Sequence, residues 1–286
     1  MSIQKRAHRM PSWLNKRLPD SETIRSISTY LKSKGLETVC ANCRCPNIGD
    51  CYPAGNVSFL ILGNICTRNC MFCAIRNGRP SKVRTGEPYA IADAVGYLAL
   101  KYVVITSVSR DDLADGGAGH FASVVRAIKR RSPSTTVETL VPDFSGSRKA
   151  IDKVLDSGTD VFSHNMEVVE RLFAHIRPMF DYRRSLEVIK YASSRRKAVI
   201  KSGFMAGVGE TSGELGGLLY DLKIAGCTHL TIGQYLAPED SRLKVQRYLT
   251  PAEFSDLKMS ALDIGFKKVA SGPFIRSSYM AEELLS

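Results

Sequence analysis

The chain has 286 residues, with 40 Lys and Arg against 28 Asp and Glu for a formal charge of +12; its 44% hydrophobic and 24% charged content is that of an ordinary globular protein. That length builds one large domain or two ordinary ones around a real core. No apolar run approaches the roughly 20 residues that span a bilayer, which argues against a membrane protein.

The start, MSIQKRAHRM, is basic, has no apolar stretch behind it and meets Pro11, so it reads as neither a secretory signal nor a transit peptide. A cytoplasmic, reducing location is expected, where cysteines hold metals or clusters rather than form disulfides. Residues 1–56 read as an N-terminal extension. Asp20 or Ser21 is placed to cap a helix that runs to Lys34 and ends at Gly35. The first cysteines follow in a loop punctuated by Pro and Gly.

From Val57 the pattern becomes regular. The runs VSFLIL (57–62), YVVIT (102–106), TVETLV (136–141), VFS (161–163), AVIKSGF (198–204) and HLTIG (229–233) predict six short buried strands. Helical stretches fall between them near 89–100, 119–131, 146–157, 184–194 and 212–225, and another follows Pro251, which suits a first helical turn. Strand–helix alternation predicts an α/β fold of parallel β/α units, a partial six-unit TIM-type barrel over 57–270. The last segment, 271–286, is broken by Gly and Pro and then helix-like, and is expected to close over the barrel. Chemistry in such barrels sits at the C-terminal ends of the strands.

Seven of the eight cysteines fall within 34 positions, in two groups. Cys66, Cys70 and Cys73 form C-x3-C-x2-C in CTRNCMFC, four positions after the first strand; Cys40, Cys45 and Cys51 form C-x4-C-x5-C, with Cys43 as an extra. Three thiolates hold an iron–sulfur cube by three corners and leave one iron open to substrate, so two such groups suggest two clusters with different tasks. A zinc site is disfavoured, because it wants four ligands in paired spacing and no second pair follows. Cys227, in IAGCTHL, reads as core.

The C-x3-C-x2-C spacing, with Phe72 before the last cysteine, resembles the signature of the radical S-adenosylmethionine (SAM) superfamily. The upstream trio narrows the resemblance to lipoyl synthase, and further matches run along nearly the whole chain. They include PSWLNKRLP, VVITSVSRDDLADGGAGHFA, ETLVPDFSG, HNMEVVERL, KSGFMAGVGET, LTIGQYLAP and SGPFIRSSYMA.

The resemblance implies a radical generator on Cys66, Cys70 and Cys73, whose cluster cleaves SAM. It also implies an auxiliary [4Fe–4S] cluster on Cys40, Cys45 and Cys51, completed by Ser278 of the motif Arg276-Ser277-Ser278-Tyr279. The implied reaction inserts two sulfur atoms at carbons 6 and 8 of a protein-bound octanoyl group, with the auxiliary cluster as donor. An oxygen ligand that leaves easily suits a cluster that must give up sulfide, while soft thiolates stay as anchors.

Implied partners are an octanoylated lipoyl domain or glycine-cleavage H protein, an electron donor such as ferredoxin or flavodoxin, and iron–sulfur assembly proteins. Such carriers are acidic, which suits the positive charge. Neither a membrane nor nucleic acid is expected, since the basic residues are scattered in pairs and triplets such as Arg130-Arg131 and Arg195-Arg196-Lys197. Polar residues at other strand ends are candidates to hold SAM: Ser107, Glu138, Asn165 and Lys201. Asn165 could instead cap a helix. The pattern departs from the family at Cys43, which reads as a tolerated free thiol or as a transient ligand while the auxiliary cluster is dismantled. Rival readings are another radical SAM sulfur inserter, an RNA-modifying enzyme that uses the positive charge, or a non-catalytic zinc or cluster-binding protein.

Overall fold

A computed structural model describes residues 10–16, 21–238 and 241–285. Asp20, expected as a helix cap, lies outside the described residues. Helix α1 (Ser21–Ser33) ends where Gly35 adopts a positive φ of 61° and donates its N–H back to Lys32 O. The two-residue strand β1 (Glu37–Thr38) and the short helices α2 (Val39–Asn42) and α3 (Ile48–Cys51) complete the extension.

The barrel elements then alternate: β2 (Val57–Ile61), the short pair β3 (Ile65–Cys66) and β4 (Arg76–Asn77), α4 (Glu87–Tyr97), β5 (Tyr102–Ser107), α5 (Ala118–Arg131), β6 (Thr136–Leu140), α6 (Arg148–Leu155) and β7 (Val161–Ser163). After them come α7 (Glu170–Ile176), α8 (Tyr182–Arg195), β8 (Val199–Ala206), α9 (Ser212–Ile224), β9 (His229–Gln234), α10 (Pro251–Ile264) and β10 (Lys268–Gly272). Thr211 and Thr250 close capping boxes with Glu214 and Glu253, and Pro251 occupies the first turn of α10.

The large sheet has the order β1-β2-β5-β6-β7-β8-β9-β10, parallel throughout except for β1 at one edge. Its edges do not meet, so the barrel is open. Six β/α units are present as expected, followed by a seventh parallel strand that the sequence did not reveal. KVASG has one strong strand former, and it becomes a strand by pairing with β9. That strand also runs across the expected boundary at 270. Helix α7, in the stretch that Asn165 could have capped, begins only at Glu170. Its N-cap is Val169, without a side-chain bond, so Asn165 does not act as a helix cap.

Alternation along the strands divides the interior in two. Val103, Ile105, Val137, Phe162, Leu230 and Ile232 pack under the helices in the main core. Tyr102 and Val104 face the other way and form a second cluster with Ala281, supported by Leu140 and Leu285. The C-terminal segment thus lies against the concave face of the sheet.

Candidate functional site

Beyond β2 the chain turns sharply, with Leu62 and Gly63 at φ of 67° and 90°. It then forms the Cys66–Cys73 loop, which β3 and β4 clamp at its base. Ser109 N–H donates to Cys66 Sγ at 3.2 Å, Arg68 N–H to the same sulfur at 3.4 Å, and Ile75 N–H to Cys73 Sγ at 3.4 Å. Such donors favour sulfur in its thiolate form. The loop is anchored by Arg68, which is nearly fully buried. Its guanidinium lies 2.6 Å from Asp111 Oδ1 and 2.8 Å from Asp143 Oδ1, and it stacks 4.1 Å over the Phe180 ring. Asp143 takes Arg184 Nε on its other oxygen at 2.7 Å.

In this group Cys73 is exposed, and Cys66 and Cys70 are half-buried. Burial raises the Cys70 thiol, opposed by the charge of the Arg177 guanidinium. Arg177 stacks 3.8 Å over Phe180 and donates to the carbonyls of Asn165 and Met166 at 2.9 and 3.1 Å.

The first group is built by α2 and α3. Thr38 caps α2 through its hydroxyl, and Cys45 N–H closes a turn on Cys40 O at 3.0 Å. Cys40 and Cys51 are buried, and burial pushes their thiols up to about 12 and about 11, with Cys45 close enough to raise both further. The C-terminal segment covers this group. Asn47 Nδ2 donates to Phe274 O at 2.7 Å, and the Tyr279 hydroxyl reaches Asp50 at 3.0 Å. Lys16 lies 5.1 Å from the Phe274 ring centroid and 5.4 Å from that of Tyr279. Ser278, half-buried, sits on the span between Ser277 and these anchors.

Cys43 caps the end of α2, and burial pushes its thiol up to about 11, with Cys45 adding to the rise. It also acts on Cys73, so it lies between the two groups. Cys227 is fully buried and donates to His229 O at 3.2 Å, a core residue as expected. All eight cysteines are free thiols. Among the described residues no three His, Cys, Asp or Glu side chains close on a single-ion point. A four-iron cube needs its thiolates farther apart than one ion does, and two sets of three soft donors match that chemistry.

The four residues predicted to hold SAM have different surroundings. Ser107 Oγ ends β5, buried and without a partner. Glu138 Oε2 accepts from the Tyr102 hydroxyl at 2.6 Å and Lys201 Nζ at 2.8 Å, while its Oε1 is unpartnered. Asn165 Nδ2 donates to Glu167 at 2.9 Å and to Ser277 Oγ at 2.6 Å, and its Oδ1 is unpartnered. Lys201 Nζ also donates to Ser277 O at 2.7 Å. Two further buried acceptors stand open nearby in the chain, Ser163 Oγ and His164 Nε2. His164 Nδ1 lies 2.9 Å from Val141 O, which fixes the proton there. A row of unsatisfied polar atoms along the strand ends fits a polar ligand. His164 stands with Asn165 in the polar pair after the fourth predicted strand, whereas Arg177, Glu167 and Asp143 went unnoticed in the sequence, where each is an isolated polar residue without a spacing rule.

The Radical SAM superfamily model matches residues 60–222. The chain is 48% identical to the lipoyl synthase of Rubrobacter xylanophilus, over 96% of this chain and 86% of that protein. It is 47% identical to that of Caldicellulosiruptor bescii, over 95% and 94%, and 46% identical to that of Vibrio campbellii, over 98% and 88%. Among solved structures, Streptococcus suis SuiB bound to S-adenosylmethionine is similar with a TM-score of 0.59 at 10% identity, over 78% of this chain and 53% of that one. Methylornithine synthase gives 0.53 at 16% identity, over 86% and 81%. These last two similarities concern the fold alone.

Proposed function

The chain belongs to the lipoyl synthase family of the radical SAM superfamily, and from that premise we propose how its residues divide the work. When bound, SAM and two [4Fe–4S] clusters supply the electron, the hydrogen-abstracting radical and the sulfide by which C–H bonds at carbons 6 and 8 of a protein-bound octanoyl group become C–S bonds. Cys66, Cys70 and Cys73 hold the radical-generating cluster, with backbone N–H groups and Arg177 stabilising their thiolates. Cys40, Cys45, Cys51 and Ser278 hold the sulfur-donating cluster. Ser107 and Asn165 lie at strand ends toward SAM, with Glu138 and Lys201 deeper within β6 and β8, and Ser107 Oγ, Glu138 Oε1 and Asn165 Oδ1 each keep an open position for a ligand hydrogen bond.

The observation that carries the division of roles is the tail. Asn47 on Phe274 O and Tyr279 on Asp50 tie the segment that carries Ser278 to the loop of the first cysteine group, which supports an oxygen ligand from position 278. The enzyme acts on lipoyl carrier proteins. An acidic octanoylated lipoyl domain or H protein suits the charge of +12. A cytoplasmic site of action with ferredoxin or flavodoxin as reductant is proposed alongside; among the described residues no helix is long and apolar enough to cross a membrane.

The test is anaerobic reconstitution followed by iron counting, then reaction with SAM, a strong reductant and an octanoyl-lysine peptide. About eight irons per chain, from two four-iron clusters, and a dithiolated product are expected. SAM cleavage with no C–S bond formed, in a chain holding all its iron, would reject the reading.

A further inference from the structure

We propose that Lys201 is a positioning residue for the C-terminal tail. With Asn165 and the bare strand positions Gly203 and Gly233, it forms a seat that fixes where Ser278 stands over Cys40, Cys45 and Cys51. This rests on the reading of Ser278 as a ligand.

Lys201 lies on the concave face of β8 with 2% of its side chain exposed, paired at 2.8 Å with Glu138, which is fully buried. Taking two charges out of water costs several kcal/mol, and an apolar pair of similar size is often at least as stable. The pair therefore points to a task beyond holding the sheet together. That task is visible in the third contact of the ammonium, which donates to Ser277 O at 2.7 Å. Asn165 Nδ2 holds the same residue by its hydroxyl at 2.6 Å.

The sheet makes room for this. Gly203 and Gly233 do not have the left-handed backbone that demands glycine; they are required by space. A Cβ on Gly233 would stand 2.0 Å from Ile275 O, and one on Gly203 would meet Thr231 Oγ1 at 2.3 Å and Ser277 Oγ at 3.1 Å. The tail then continues to Ala281, buried against Tyr102 and Val104, and Tyr102 closes the circuit on Glu138. On its other side the tail is tied to Asn47 and Asp50. Ser278 is the residue strung between the two sets of anchors.

The experiment uses the full chain, reconstituted, in four forms: unaltered, Ser278→Ala, Gly233→Ala, and Lys201→Met with Glu138→Gln, which leaves no unpaired buried charge. Hydrogen exchange of residues 273–281 is read by mass spectrometry. The auxiliary cluster is read by Mössbauer spectroscopy in a background where Cys66, Cys70 and Cys73 are alanine. Loss of one charge-assisted bond should speed tail exchange about tenfold in the Lys201/Glu138 variant, and Gly233→Ala should do the same. Both should give the cluster spectrum of Ser278→Ala, while Ser278→Ala itself leaves tail exchange unchanged.

Unchanged tail exchange in both seat variants overturns the proposal. So does a released tail with an unaltered cluster spectrum where Ser278→Ala shifts it. An unaltered spectrum in Ser278→Ala rejects the ligand reading separately, and the seat then stands or falls on the exchange rates.

Discussion

The Tyr279 hydroxyl donates to Asp50 Oδ2 at 3.0 Å, across 229 positions of sequence. Asp50 immediately precedes Cys51, and Lys16 Nζ lies 2.6 Å from the same carboxylate. Lys16 and then Tyr279 hold the Asp50 carboxyl below its usual range. Tyr279→Phe removes one neutral donor and keeps the ring under Lys16. Because Asp50 is half-exposed, the expected loss is at most about 1 kcal/mol of stability, read by urea unfolding, with faster amide exchange at 278–281. Unaltered exchange there means that this bond does not tie the tail to the cysteine loop.

The two cysteine groups should fail independently. Cys45→Ala is expected to keep about four irons per chain and still cleave SAM, but to form no C–S bond. Cys70→Ala is expected to keep about four irons and to lose SAM cleavage. Iron analysis and measurement of 5′-deoxyadenosine test both variants, and equal loss of SAM cleavage in the two would contradict the division of roles.

Cys43 lies between the groups, acting on both Cys45 and Cys73. Serine is close in size and removes the thiolate, so Cys43→Ser is expected to hold full iron and sulfide and to turn over normally. A drop in sulfide content after a single turnover, relative to the unaltered chain, would instead mark Cys43 as a ligand during cluster breakdown.

Asp143 is fully buried and receives both Arg68 and Arg184. Burial alone would raise its carboxyl, but the charges of Arg68 and Arg184 hold it low. Asp143→Asn strands the buried Arg68 with Asp111 alone, at an expected cost of about 3 kcal/mol measured by urea unfolding. The Cys66–Cys73 loop should exchange its amides faster in the same variant. Stability within error of the unaltered chain would show that Asp111 suffices to anchor the loop.

Burial, reinforced by Arg177, lowers His164 from its usual 6.5 to about 4. The folded protein therefore keeps it neutral where the unfolded chain takes a proton. Its contribution is complete above about pH 6.5 and is lost as the pH falls toward 4. The total is on the order of 3 kcal/mol. His229 is shifted in the same direction, so the comparison is with His164→Asn, which retains a donor toward Val141. Between pH 7 and pH 5 the unaltered chain should lose more stability than this variant, and parallel losses would remove His164 as the cause.

Much was legible in the sequence because local rules govern it. Short apolar runs between helical stretches marked six of the parallel strands, since a strand buried on both faces is rich in Val, Ile and Leu. Pro251 and Gly35 mark a helix start and a helix end for backbone reasons that need no partner. The spacing of Cys66, Cys70 and Cys73 is likewise a property of one loop. The strand Lys268–Gly272 was hidden because its few side chains do not specify it; β9 does, by offering a free edge.

The amino-acid order by itself singled out the two thiol trios as the candidates for cluster chemistry, because trios at fixed spacing allow few ligation patterns. It could mark Ser278 only through a motif, since no local rule relates a serine to cysteines more than two hundred positions away. Tertiary structure alone decided that Lys201 and Asn165 grip Ser277, that Gly233 leaves room for Ile275 O, and that Arg68 and Arg177 brace the cysteine loop from Asp143 and Phe180. Each is a contact between groups with no periodicity in common. Each follows from burying a charge or a backbone carbonyl where the only available partner comes from a distant part of the chain.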